Sequence, residues 1–230
     1  MTLRPSRTRM TKANAILLAC FPPILIQIAD GIFKGPLYRF SHEAFWAFDV
    51  FKFVILSLVI LVWLARTFSI TPSAYGMRRG SAEDWFDIIV LTIFLTLVLN
   101  LLYSIVGQAV LQLTGPVPDG KFGYRTVIPK DILRFPVIVY FGLSAGFAEE
   151  IFFRALPLLY IRERFGNRKL QWPYVVVTSL LFAAAHWENG LHELAATFAF
   201  GVAASLLYLK LRDLWPLVGA HALIDFWNFS

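Results

Sequence analysis

Seven long apolar runs, near residues 13–33, 45–65, 86–111, 136–161, 172–187, 190–209 and 214–229, limit what this chain can fold into. A helix needs ~20 predominantly apolar residues to cross a bilayer, and these runs take up nearly all of the 230 residues. The chain is 58% hydrophobic and 16% charged, against ~45–50% and ~25% in soluble domains. It has too little polar surface to enclose a soluble core, and the same shortage excludes disorder, a coiled coil and a disulfide scaffold. The expected fold is all-α: a polytopic transmembrane helical bundle of about seven spans, one transmembrane domain over residues 1–230.

Charge is read in that setting. A formal net charge of +6 would suggest nucleic acid in a soluble protein. Here the basic residues lie between apolar runs, where they act as topology signals and contact anionic headgroups. The expected partner is the lipid bilayer, with no nucleic acid. Alternate non-membrane segments carry 13 and 6 Lys and Arg, which favours a cytoplasmic N-terminus and an external C-terminus. The four basic residues at 112–134 oppose that bias. Arg4, Arg7, Arg9 and Lys12 ahead of the first run resemble a signal peptide, but apolar character continues past Pro22-Pro23 to Ala29. An uncleaved first span in a cell (inner) membrane is expected. The single Cys20 excludes an internal disulfide and any multi-Cys site. The segments 66–85, with Thr71-Pro72 and Arg78-Arg79-Gly80, and 112–134, with Gly115, Pro116, Pro118 and Gly120, carry the residues of loops.

The fourth run holds three residues that hydrocarbon does not tolerate: Glu149, Glu150 and Arg154. An ionised side chain at the bilayer centre costs ~2.5–3.5 kcal/mol even on the lenient scale, so these three must face protein or a watered cavity. Glu150 and Arg154, spaced i,i+4, are placed to form a helical ion pair. Glu149 lies ~100° around the helix and has no local cation. Glu150 is thus expected to pair with Arg154 while Glu149 does chemistry; the alternative is one structural network of all three. Gly142 and Gly146 form a G-x-x-x-G face roughly in line with Glu150, which lets another helix approach closely.

Further on, His186 ends the fifth run, and His221 and Asp225 share a helix face in the seventh. His192 beside Glu193 reads as interfacial and His42 as a loop residue. Asp30, Lys52 and Asn100 read as end-of-helix or packing residues.

The set Glu149-Glu150-x-x-x-Arg154, Phe182-x-x-x-His186 and His221-x-x-x-Asp225 resembles the CPBP family, the CAAX prenyl endopeptidases and bacteriocin-processing intramembrane proteases. The resemblance runs over about residues 140–228 and takes in Gly201 through Leu214-Trp215-Pro216. Ala155 stands where the family often has Gly, and Asp225 where it often has Asn. The resemblance implies an intramembrane endopeptidase acting on a membrane-anchored or exported protein. Glu149 would be the general base, and His186 would help to hold the water. His221 and residue 225 would lie at the oxyanion, with Glu150 and Arg154 behind them.

The mechanism keeps alternatives. His186, His221 and Asp225 could make a two-His, one-carboxylate set for zinc with Glu149 as base. No H-E-x-x-H is present, however, and a glutamate-dependent reaction without a cofactor is preferred. Neither G-x-S-x-G nor a suitably placed Cys supports a serine or cysteine mechanism. A proton-coupled transporter would use similar residues, but the chain shows neither repeats nor clearly broken helices. A catalytically idle immunity or binding protein of the same fold would not be expected to fill every motif position.

Overall fold

The computed structural model describes residues 10–77, 80–115, 122–166 and 170–230. Arg4, Arg7, Arg9, Arg78, Arg79, Pro116, Pro118 and Gly120 lie outside them. Among the described residues there is no strand. Each apolar run forms a helix: α1 (Lys12–Phe40), α2 (His42–Phe68), α3 (Ala82–Thr114), α4 (Arg134–Phe165), α5 (Gln171–Ala184), α6 (Leu191–Leu211) and α7 (Trp215–Phe229).

Local chemistry sets where these helices start and stop. Thr11 Oγ1 accepts from the Asn14 amide (3.2 Å) to cap α1, and Ser41 Oγ accepts from Ala44 (3.0 Å) to cap α2. Ser81 and Asp84 form a reciprocal capping box at the start of α3. Ser69 at the end of α2 and Arg212 at the end of α6 take left-handed backbone conformations, φ 54° and 55°, which turn the chain out of each helix.

Helices α1 to α4 and α6 are long and apolar enough to cross a membrane. At 14 and 15 residues, α5 and α7 reach only about 21–23 Å at 1.5 Å per residue, short of a ~30 Å hydrocarbon core. Both are packed into the bundle: α5 against α6, and α7 against α4 and α3. The most and least enclosed long helices differ widely. The apolar window of α4 is 56% buried and that of α3 only 11%, so α4 is central. The outer face of α3, including Phe86, Phe94 and Leu97, is left for lipid.

The G-x-x-x-G face of α4 is what brings α7 close. A Cβ added at Gly142 would lie 2.6 Å from the Ala222 carbonyl oxygen, and one at Gly146 would lie 2.9 Å from the Ala222 amide nitrogen. No side chain fits there. The helix that carries His221 and Asp225 is therefore held backbone to backbone against the helix that carries the glutamates. Directly after Glu150, α4 widens into a π turn at Ile151–Ala155, a local geometry often found at functional sites. A second π turn interrupts α2 at Phe51–Ile55.

Candidate active site

Alternation of the helices puts the C-terminal halves of α1, α3 and α7 and the N-terminal halves of α2, α4 and α6 at one end of the bundle. There they enclose a cavity of about 720 Å³ lined by Glu149, His186, His221 and Asp225, among others. The sequence-derived site residues are thus brought together from α4, from the turn after α5 and from α7. Glu150 and Arg154 lie behind the cavity wall, fully enclosed at 0% and 1% exposure.

Glu150 Oε1 is a shared acceptor. Arg154 Nη1 lies 3.2 Å from it and His221 Nδ1 donates to it at 2.8 Å. The expected i,i+4 pair is present, and the same carboxylate also orients a histidine 71 residues away. With Nδ1 engaged, His221 presents Nε2 to the cavity, 3.7 Å from Glu149 Oε2 and 3.8 Å from Asp225 Oδ2. His186 is oriented similarly, since its Nδ1 meets the Phe182 carbonyl at 2.9 Å. As a donor to that carbonyl, Nδ1 leaves Nε2 as the free ring nitrogen.

Phe182 has a structural task of its own. The Arg154 guanidinium carbon lies 4.1 Å from its ring centroid, and the His186 and His221 rings pack at 4.9 and 5.9 Å. Phe200 closes the other side, 5.2 Å from His221 and 5.6 Å from Arg154. The guanidinium is therefore enclosed by aromatic faces, which attract a cation, as well as by one carboxylate.

Three further residues, read differently from the sequence, also line the cavity. Lys52 forms a buried 2.6 Å ion pair with Asp30, and both line the cavity. They are neither end-of-helix nor simple packing residues, because a lone charge at that depth would not be tolerated. Lys52 also donates to Tyr124 Oη (2.8 Å) and lies 3.7 Å from Asp49. Burial beside Asp49 and Asp30 raises the Tyr124 phenol well above its ordinary pKa. His192, read as interfacial, also lines the cavity. His42 is not a loop residue: it opens α2 and stacks on Tyr38 with ring centroids 4.1 Å apart.

Sequence reasoning did not single out Gln27, Lys34 and Tyr103, which line the same cavity. The available signal was polar side chains within apolar runs, the same signal that singled out Glu149. Lys34 pairs with Glu188, and Tyr103 donates to Glu193 at 2.5 Å. Cys20 is buried in α1, where Sγ contacts the Phe152 carbonyl oxygen at 3.3 Å, away from the glutamates' cavity lining.

Among the described residues, no three His, Cys, Asp or Glu side chains form a group that could hold a metal ion. His186, His221 and Asp225 share the cavity; with His221 Nδ1 engaged by Glu150, its Nε2 lies 3.8 Å from Asp225 Oδ2.

No curated protein and no solved structure gives a match to the chain. A family model does: the one described as type II CAAX prenyl endopeptidase Rce1-like matches residues 131–227. Those residues run from the start of α4 through α7, so they include all three motifs and the contacts that join them. The matched segment, 97 of the 230 residues, is similar to that family and holds the three motifs in order.

Proposed function

We propose that the protein is an intramembrane endopeptidase that hydrolyses a peptide bond of a membrane-associated or exported protein, with Glu149 as the general base. The observation that carries this reading is the 3.7 Å approach of Glu149 Oε2 to His221 Nε2 on one cavity wall, with Nδ1 of His221 already committed to Glu150. A carboxylate and a correctly oriented imidazole are then side by side where water and a peptide can reach them.

On this reading Glu149 takes a proton from water as the water oxygen adds to the peptide carbonyl carbon. His186, through its free Nε2, holds the same water. The carbonyl oxygen becomes an oxyanion and meets hydrogen-bond donors at Asp225 and at His221, which acts as the imidazolium so that Nε2 carries a proton while Nδ1 donates to Glu150. Glu149 then returns the proton to the leaving nitrogen, the C–N bond breaks, and a new carboxyl and a new amine result. Asp225 can take part only as a donor, so it acts in its protonated form; a carboxylate would repel the oxyanion.

The test compares membrane proteomes of a wild-type strain and a Glu149→Ala strain. An uncleaved precursor that accumulates only in the variant is the expected result. Identical proteomes, with both proteins present at equal levels, would overturn the reading.

A further inference from the structure

The cavity lining contains a buried amide that the reaction above does not use. Gln27, in the middle of α1, is 4% exposed and lines the cavity. Neither its Oε1 nor its Nε2 has a hydrogen-bond partner among the described residues. Its neighbours on the same helix are engaged: Asp30 with Lys52 at 2.6 Å, and Lys34 with Glu188. A carboxamide offers two N–H donors and a two-lone-pair acceptor. Leaving such a group buried and unbonded is unfavourable, and an apolar membrane helix has no helical reason to carry it.

Its chemistry matches what the cavity would have to receive. A peptide bond can be hydrolysed only in an extended segment, whose backbone N–H and C=O groups are then free of helical partners. Inside a bilayer those groups need a protein partner. Both amide atoms are enclosed in this structure, so a bound peptide meets them once the side chain turns into the cavity; the carboxamide then offers a donor and an acceptor in one plane, complementary to a peptide unit. By contrast, the charged groups around it are paired with one another. A cavity of about 720 Å³ is also within the ~300–1,000 Å³ range of ligand sites.

We propose that Gln27 is a substrate-binding residue whose carboxamide forms paired hydrogen bonds with one backbone peptide unit of an extended segment in the cavity. The proposal rests on the peptidase reading and adds a binding residue from α1, outside the matched segment 131–227. Because the recognised group is the peptide unit itself, it predicts binding that depends on the backbone more than on side-chain identity.

The probe is therefore a randomised pool of N-acetylated, C-amidated apolar hexapeptides, with a second pool in which ester links replace amides and remove the backbone N–H. Both are offered to the full chain in detergent, in the Glu149→Gln background. The amide pool should be retained more strongly than the ester pool. Gln27→Met, which keeps side-chain length but removes both polar atoms, should weaken amide retention about tenfold, the equivalent of one to two neutral hydrogen bonds. It should leave ester retention nearly unchanged and the melting temperature no lower. Equal retention of the amide and ester pools by the Gln27 protein, or no retention of either, would overturn the proposal without depending on any substitution at residue 27. If peptides bind as described but the wild type never cleaves one, the peptidase reading fails and the binding assignment stands.

Discussion

His221 Nδ1 lies 2.8 Å from Glu150 Oε1, so the helices that carry the two ends of the site are joined by one hydrogen bond inside the bundle. The same oxygen lies 3.2 Å from Arg154 Nη1. Glu150 therefore links three functions: it balances a buried guanidinium, fixes the His221 ring and sets the position of the helix turn that bears Glu149. A carboxylate behind a histidine typically orients the ring and selects which nitrogen faces the reaction.

The two adjacent glutamates should consequently behave differently. Glu149→Gln should abolish cleavage while the protein remains folded, because Glu149 makes only the looser 3.7 Å contact with His221. Glu150→Gln leaves Arg154 buried without its counter-charge, and breaking such a pair costs ~3–5 kcal/mol. Its yield and melting temperature in detergent should fall along with activity. Equal melting temperatures for the two variants would refute the division of roles.

At Gly142 the expected failure is mechanical. Gly142→Ala places a methyl 2.6 Å from the Ala222 carbonyl oxygen, and neither backbone can yield cheaply. Overpacking of this kind costs ~1–3 kcal/mol, and forcing α7 outward also stretches the Glu150–His221 bond. A melting temperature below wild type and strongly reduced activity are expected. Wild-type values for both would show that the close approach is not needed.

Asp225 separates two chemistries. If it donates as a protonated acid, Asp225→Asn retains a donor and most activity, and the alkaline limb of the activity–pH profile shifts or disappears. Chelators should leave the wild type active. A thousand-fold loss in Asp225→Asn, with chelator sensitivity of the wild type, would instead assign the site to a metal.

The side of substrate entry follows from the helix alternation. The cavity opens at the end opposite Lys12, the end that includes His186 and Asn189. With a cytoplasmic N-terminus the site is wetted from outside, which suits an exported substrate. Asn189→Cys should then react with a membrane-impermeant maleimide in intact cells, the native Cys20 being buried. Labelling that requires permeabilisation would reverse the orientation.

Membership of the bundle was legible in the amino-acid sequence because the cost of burying charge and the length of a membrane span are local properties. The seven apolar runs became α1 to α7 with ends close to those expected, except that α1 runs on past residue 33 to Phe40, and the order of Glu149, His186 and His221 along the chain pointed to a family. The i,i+4 spacing likewise led to the Glu150–Arg154 pair, since helical neighbours are fixed by the helix itself. Which helix faces which was another matter. Lipid tails are as apolar as a protein core, so an apolar residue on α1 or α3 carries no mark of whether it meets lipid or protein. Only the tertiary structure placed Ala222 against Gly142, joined Glu150 to His221 across 71 residues and brought Asp30, Lys52 and Gln27 into one cavity with Glu149. Those relationships depend on packing between distant segments, and no periodicity within a single segment encodes them.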